Sequence, residues 1–318
     1  MKIASYLPKG TLSNADLIAE GFNIDKIYNL ILIKNRHIAA EDEFSLDLAE
    51  KACHHLFKKF KIDKKTIDYL VYCTQTPDHL MPNSSSVLQD RLSLSKEIGS
   101  LDYIHGCSGF VYGLSIAKGL IETGQAKKLL LVLSDTISKY LDKKDIATRS
   151  IMGDGACAVL LDAHDMQNMP YFVFNTDGKG AFDLCVRASG LKDRDSKLYQ
   201  YFSMNGPAVF VFTLDVMPKM IKRILQKYGM LMDDVDHFIF HQPNGYILEQ
   251  LRQRMKIPEE KFHIYLEDFG NTSGASIPFV LEHCFAEGKI LNNQKVLLLS
   301  FGIGYTAAAT IYTYIKEG

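Results

Sequence analysis

The chain has 318 residues, 47% hydrophobic and 23% charged, which is material for one large core or two ordinary ones and unlike disordered, collagen-like or disulfide-framework compositions. Lys and Arg total 36 against 37 for Asp and Glu, a formal charge of -1, so no global basic field holds nucleic acid and an anionic partner must meet a local patch. The six cysteines (Cys53, Cys73, Cys107, Cys157, Cys185 and Cys284) stand far apart with no CxxC pair, which argues against zinc sites and disulfide frameworks.

Met1 to Gly10, MKIASYLPKG, has too short an apolar run for a secretory signal, and no later segment nears the roughly 18 uninterrupted apolar residues of a membrane span. The expectation is a soluble, cytoplasmic protein. Short apolar runs at 69–73 (YLVYC), 128–134 (KLLLVLS), 237–241 (HFIFH) and 295–301 (KVLLLSF) read as buried strands. Periodic segments at 44–60, 107–122, 208–228 and 246–255 read as helices. Their alternation with the strands predicts an α/β fold with largely parallel sheets.

An internal echo sharpens this. Lys59-Phe60, Ile67-Asp68 and the run 69–73 match Lys227-Tyr228, Val235-Asp236 and the run 237–241, at an offset of 236 minus 68, or 168. The same offset carries Leu129-Leu130-Leu131 onto Leu297-Leu298-Leu299, and Gly-x-Gly steps follow at Gly153 and Gly302. Two apolar strands and a helix end in register predict a duplication, with one half at 1–165 and the other at 166–318. No low-complexity linker separates them.

Residues 101–124, LDYIHGCSGFVYGLSIAKGLIETG, read as a strand end, a Gly-Cys turn and a helix with almost no polar side, stopped by Gly124. Cys107 falls in the first turn of that helix, where unsatisfied N–H groups and the helix dipole favour a thiolate. It is either a nucleophile or a small residue filling a strand-to-helix turn. His105, two residues upstream, is a candidate base.

In the second half, DHFIFHQPNGYILEQLRQRM ends a strand at His241, the place that Cys73 takes in the first half. Strand ends display functional side chains. FGNTSGASIPFVLEHCF then places Asn271 in a turn of small residues leading into a helix, where either Asn271 or Ser273 caps the helix or Asn271 donates its amide to a carbonyl oxygen. Asn271 and a neutral His241 aimed at one thioester oxygen would stabilise an enolate.

Together these segments resemble the beta-ketoacyl-acyl carrier protein synthase III family of thiolase-like condensing enzymes. The pieces that carry the resemblance are Arg36-His37-Ile38-Ala39-Ala40, Gly106-Cys107-Ser108-Gly109-Phe110 with Tyr112-Gly113-Leu114, and Gly153-Asp154-Gly155-Ala156. They continue with Met204-Asn205-Gly206, His241-Gln242-Pro243-Asn244, Gly270-Asn271-Thr272-Ser273 with Ala275-Ser276, and Phe301-Gly302-Ile303-Gly304.

The resemblance implies a thiolase-like five-layered αβαβα fold of two duplicated halves, with Cys107 in the first and His241 and Asn271 in the second as the catalytic set. It implies an oxyanion loop at Gly302, Ile303 and Gly304. The implied activity acylates Cys107 from an acyl-CoA or acyl carrier protein thioester and condenses that acyl group with a malonyl thioester on acyl carrier protein. Carbon dioxide is lost and a 3-oxoacyl thioester forms, in fatty acid or related acyl biosynthesis, without a cofactor, metal, nucleic acid or membrane. An acyltransferase on the same fold, passing the acyl group to an alcohol or amine, is the alternative.

By the same resemblance Arg36, Tyr28, Arg149, Met81, Asn244 and Met204 are substrate-binding residues. Tyr28 stands in for a tryptophan that this chain lacks, and Arg149 lies close to a position, here Ile146, where an arginine is often seen. Met81 aligns with a residue that caps the acyl pocket of the other subunit, which makes a homodimer the expected assembly. Tyr246 replaces a basic residue associated with carrier docking, so Arg252 and Arg254 are the docking candidates.

Overall fold

Two mixed β-sheets carry the architecture of this computed structural model, which describes residues 1–197 and 200–316, without the side chains of residues 25 and 26. The first sheet contains β1 (Lys2–Tyr6), β2 (Tyr69–Cys73), β3 (Gly99–Tyr103), β4 (Lys128–Asp135) and β5 (Gly155–Asp162), in the order β1-β5-β4-β2-β3. β2 runs parallel to β3 and β4, whereas β5 is antiparallel to β4 and β1. The second contains β6 (Phe172–Thr176), β7 (His237–Phe240), β8 (Lys295–Gly302) and β9 (Thr306–Thr313), in the order β7-β8-β9-β6, with only β7 and β8 parallel.

Five principal helices pack on these sheets: α1 (Ser45–Phe60), α2 (Gly109–Glu122), α3 (Gly206–Tyr228), α4 (Gly245–Met255) and α5 (Ser276–Ala286). Successive strand residues point to opposite faces, and the core clusters follow that alternation. Val71, Leu131 and Leu133 of the first sheet share one cluster with Ile239 and Leu298 of the second and with Phe110, Leu114, Ile277, Val280 and Leu281 of α2 and α5. The intervening residues Leu70, Tyr72, Leu130 and Val132 pack outward on Leu48, Ala49 and Leu56 of α1. In the second sheet Phe238, Phe240, Leu297 and Leu299 pack outward with Met217, Ile221 and Ile224 of α3 and Leu248 of α4.

The result is the five-layered αβαβα arrangement, with α2 and α5 as its central layer. Strands covered on both faces need apolar residues at every position, which is why β2 and β4 read as continuous apolar runs. Close approach of α2 to the first sheet depends on Gly113, where a Cβ would lie 2.4 Å from Tyr103 Oη and 2.8 Å from Leu131 Cδ1. At its far end α2 stops where Gly124 adopts φ +74°.

The sequence-predicted strands agree with β2, β4, β7 and β8 to within one residue at each end, and the predicted helices with α1 to α4 to within two. Four of these strands were not anticipated, β1, β5, β6 and β9. β5 (GACAVLLD) and β9 (TAAATIYT) open with small residues of low strand propensity, and burial against the central layer overrides it.

Matching places in the two sheets are held by β1 and β6, β2 and β7, β4 and β8, and β5 and β9. β3 has no counterpart in the second sheet among the described residues. Tyr69 pairs with Leu129 and its echo His237 with Val296, an offset of 296 minus 129, or 167. The sequence echo at 168 is therefore displaced by one residue in the pairing of β8.

Candidate active site

Three polar side chains meet at the carboxyl ends of the strands, around an apolar cavity of about 50 Å³. Cys107 sits in the turn between β3 and α2, two residues before the helix begins at Gly109 and not within its first turn. His241 follows β7, and its own N–H donates to the Leu299 carbonyl at 2.8 Å, which continues the β7–β8 ladder by one residue. Asn271 lies in the turn before α5. All three are buried, at 7%, 1% and 6% exposure, and all three line the cavity with Met152, Leu184, Phe202, Val209, Ile247 and Phe301.

The backbone of Asn271 is clamped from both sides. Its N–H donates to the Ile151 carbonyl at 2.8 Å, and its carbonyl accepts from Gly153 N–H at 3.0 Å, forming an isolated bridge to Met152. This approach requires glycine: a Cβ at Gly153 would lie 2.6 Å from the Phe269 carbonyl oxygen, and Gly270, at φ +67°, has the Ile151 carbonyl 2.9 Å from where a Cβ would be. The side-chain oxygen of Asn271 accepts from Ser273 N–H at 2.9 Å, so its NH₂ group is the end left for the cavity. The oxygen thus caps the turn ahead of α5, whose own N-cap is Ala275 without a side-chain hydrogen bond, and the amide remains a donor.

The glycine loop closes the wall behind the sulfur. A Cβ at Gly302 would lie 2.6 Å from Cys107 Cβ and 3.1 Å from its Sγ, so no other residue fits there without displacement. Thr306 Oγ1 donates to the Ile303 carbonyl at 2.7 Å and contacts Ser108 Oγ at 2.7 Å, which ties the loop of Ile303 and Gly304 to the cysteine turn. Beneath the turn, Gln75 Nε2 donates to Ser273 Oγ at 2.7 Å and to buried Asp135, which also accepts from Gln75 N–H at 2.8 Å and Thr74 Oγ1 at 3.2 Å.

Burial sets the charge of this site. Loss of water pushes the Cys107 thiol up to about 12, and the nearby Asp135 carboxylate adds to the effect against a smaller opposing contribution from the Ser273 hydroxyl. Burial therefore opposes the thiolate expected from the helix terminus. Desolvation lowers His241 to about 3, partly offset by the Ser273 backbone, so its imidazole is neutral. Asp135 is raised to about 6 by burial, against the hydrogen bonds of Gln75, Ser273 and Thr74.

Of the remaining sequence-predicted residues, Asn244 and Met204 reach the cavity. Asn244 does so while accepting from Ile247 N–H at 2.9 Å as the cap of α4. Arg36 does not: it is fully buried, and its guanidinium donates to the Ser150 carbonyl (2.8 Å), Asn14 Oδ1 (2.5 Å) and the Lys34 carbonyl (3.2 Å), a structural strut with no face toward a ligand. Arg149 is held by Glu20 at 2.6 and 3.1 Å and lies over the Phe22 ring. Tyr28 lines a separate surface groove with Leu32, Tyr265 and Phe269.

Arg252 is engaged by Glu249 at 2.8 and 2.6 Å, which offsets the charge expected of a docking residue, whereas Arg254 is exposed. Met81 projects from the surface at 86% exposure. His105 stacks on Tyr112 at 4.3 Å with Nδ1 on Ser108 Oγ at 3.0 Å, and it is not brought to the cavity. Sequence reasoning assigned no role to Gln75 or Asp135, and named Ser273 only as an alternative helix cap, whereas α5 has no side-chain cap. Ser273, at φ +55°, is a non-glycine residue in the left-handed region, a strained backbone with no pattern to announce it.

Comparisons with known proteins point to one family. Residues 101–178 match the family model described as 3-oxoacyl-[acyl-carrier-protein (ACP)] synthase III, and residues 225–314 match that of its C-terminal part. The chain is similar to the beta-ketoacyl-[acyl-carrier-protein] synthase III of Streptococcus gordonii, at 33% identity over 98% of each chain. It is also similar to a 2.1 Å crystal structure of a 3-oxoacyl-(acyl-carrier-protein) synthase III, with a TM-score of 0.94 and 38% identity over 98% of each chain. The corresponding structure from Thermus thermophilus gives 0.91 and 33% over 98% of each.

The resting protonation state is open to a direct check. Far below a thiol's pKa the thiolate fraction rises about tenfold per pH unit. Alkylation of Cys107 by iodoacetamide, followed by mass spectrometry of its peptide, is expected to climb with that slope from pH 7 to about pH 10. A plateau already reached near pH 8 would show a thiolate at rest and contradict the burial argument.

Proposed function

The chain belongs to the beta-ketoacyl-[acyl-carrier-protein] synthase III family, and from that premise we propose that Cys107, His241 and Asn271 run its decarboxylative condensation. As a member of this family the protein is a condensing 3-oxoacyl-thioester synthase of fatty acid biosynthesis. The single observation that supports the residue assignment is that the thiol, the imidazole and the amide all line one buried apolar cavity.

In the first half-reaction Cys107 Sγ attacks the carbonyl carbon of an acyl thioester on coenzyme A or acyl carrier protein. Its backbone N–H and the Gly302-Ile303-Gly304 loop hold the oxyanion. The C–S bond to the carrier breaks and the carrier leaves as a thiol, so the proton of Cys107 is balanced by the one that the carrier gains. In the second, the thioester oxygen of malonyl-acyl carrier protein accepts hydrogen bonds from neutral His241 and from Asn271 Nδ2. The bond to the carboxylate breaks, carbon dioxide departs, and the enolate carbon attacks the Cys107 acyl group. Collapse of the tetrahedral adduct expels Cys107 as a thiolate, which takes up one proton from water to return to the thiol, and releases the 3-oxoacyl thioester. Neutral donors suit this task, because a buried imidazolium would itself be costly and the malonyl carboxylate leaves as a neutral gas.

The proposal includes two halves, residues 1–165 and 166–318, supported by the matched strand orders and by the chain passing from β5 to β6 between Asp162 and Phe172. It also includes a homodimer. β3 is the edge of the first sheet, paired only with β2 among the described residues; Leu101 (37%) on it and Ile104 (75%) just after it are exposed, as are Leu80 (67%) and Met81 (86%), which shortly precede Ser84 and Ser85, whose N–H groups donate to Asp102 of β3. An apolar edge strand of this kind invites pairing with a second copy. Sedimentation equilibrium is expected to return twice the 35.8 kDa chain mass, and a single-chain mass at micromolar concentration would remove the dimer. A cytoplasmic location completes the reading; among the described residues no helix is long and apolar enough to cross a membrane.

The division of labour is separable by substitution. Asn271→Ala is expected to keep acylation of Cys107, seen as the acyl mass adduct on intact protein, and to slow carbon dioxide release from malonyl-acyl carrier protein about 100- to 1000-fold. Equal loss of both half-reactions would contradict the roles assigned, and no adduct on the unsubstituted chain with any acyl thioester would end the proposal.

A further inference from the structure

His241 carries only one ring proton, and the nitrogen that holds it decides what the imidazole can do. With hydrogen on Nε2 the ring presents a donor to the cavity, and with hydrogen on Nδ1 it presents a bare lone pair. The Nδ1 side faces Ser276, the first residue of α5, with Oγ at 2.8 Å. Ser276 is 3% exposed, so its hydroxyl must find partners within the protein.

One partner of that hydroxyl is already fixed. Gln242 N–H donates to Ser276 Oγ at 3.3 Å, and a backbone amide can only donate. Gln242 is itself locked, with Nε2 on the Phe240 and His263 carbonyls and Oε1 accepting from Tyr265 N–H. The single proton of Ser276 needs an acceptor, and among the described contacts of Oγ the other is His241 Nδ1. Were Nδ1 protonated, two N–H groups would point at Oγ and the buried O–H would have no acceptor, an arrangement that forfeits a hydrogen bond without solvent compensation.

We propose that Ser276 is a positioning residue that fixes His241 as the Nε2–H tautomer, so that the imidazole serves the condensation as a hydrogen-bond donor and is not the base that takes the Cys107 proton. This rests on the reading of His241 as a donor to the malonyl thioester and adds how the chain enforces it. A hydroxyl anchored by a backbone amide also sets the ring's orientation, as partners on the far side of an active-site imidazole do.

The test begins without any variant. In protein labelled with nitrogen-15 histidine, the His241 signals are those missing from His241→Gln. The expected result is a protonated Nε2 and an unprotonated Nδ1 in the two-bond nitrogen–proton correlation spectrum. A protonated Nδ1 overturns the proposal.

Ser276→Ala is then expected to lose the single tautomer and to slow carbon dioxide release about tenfold, with acylation of Cys107 changed less than about twofold. Ser276→Thr, which keeps the hydroxyl, is expected to restore the spectrum. A Ser276→Ala spectrum identical to that of the parent also overturns the proposal. If the parent shows Nε2–H while His241→Gln releases carbon dioxide at the parent rate, the tautomer assignment stands and the catalytic reading of His241 is what fails.

Discussion

Burial of two apolar helices between two sheets is the constraint on which the rest of the structure depends. α2 and α5 contribute Phe110, Leu114, Val280 and Leu281 to a cluster that takes strand residues from both sheets. Each such side chain removed from water contributes about 1.5–3 kcal/mol, so the central layer is a major part of what holds the sheets face to face. The turns leading into those two helices carry Cys107 and Asn271, and His241 directly follows the second-sheet strand β7, which packs against the layer. The packing that stabilises the fold is therefore also what brings the three side chains to one cavity.

The same burial dictates the chemistry. Burial pushes the Cys107 thiol up to about 12 and lowers the His241 imidazole to about 3, so it favours the neutral form of both groups that line the cavity. In such a site rate enhancement comes from preorganised donors that meet charge as it develops, and the donors are set in advance by backbone contacts. Asn271 is oriented by Ser273 N–H and clamped between Ile151 and Gly153; Ser276, anchored by Gln242 N–H, meets the imidazole. The glycines at 153, 270 and 302 belong to the same logic, because each lets a backbone or a sulfur come closer than a Cβ would permit.

Much of this was legible in the sequence. β2, β4, β7 and β8 announced themselves because strands covered on both faces leave no polar position, and Cys107, His241 and Asn271 because each stands in a turn at the end of a strand or the approach to a helix. β5 and β9 were hidden by small residues whose strand character comes from the layer they pack on. Arg36 and Arg149 show what a motif leaves out: a charged residue in or near one reads as a ligand-binding group, and only the coordinates show that Arg36 donates to backbone carbonyls and that Arg149 pairs with Glu20. Asp135, Gln75 and Ser273 come from three separate segments and converge beneath Cys107 through tertiary packing alone, which no spacing encodes. A cysteine, histidine and asparagine in that chain order also suit a papain-like hydrolase, and the two sheets around a central helical layer set that reading aside.

The central claim, that one cavity presents a thiol to an acyl group and two neutral donors to a malonyl thioester, is tested most directly by a crystal structure with a bound non-hydrolysable malonyl-pantetheine analogue. The account predicts the analogue's carbonyl oxygen within hydrogen-bonding distance of both His241 Nε2 and Asn271 Nδ2, with the malonyl methylene facing Cys107 Sγ. An analogue seated elsewhere, or with that oxygen turned away from both donors, would contradict it.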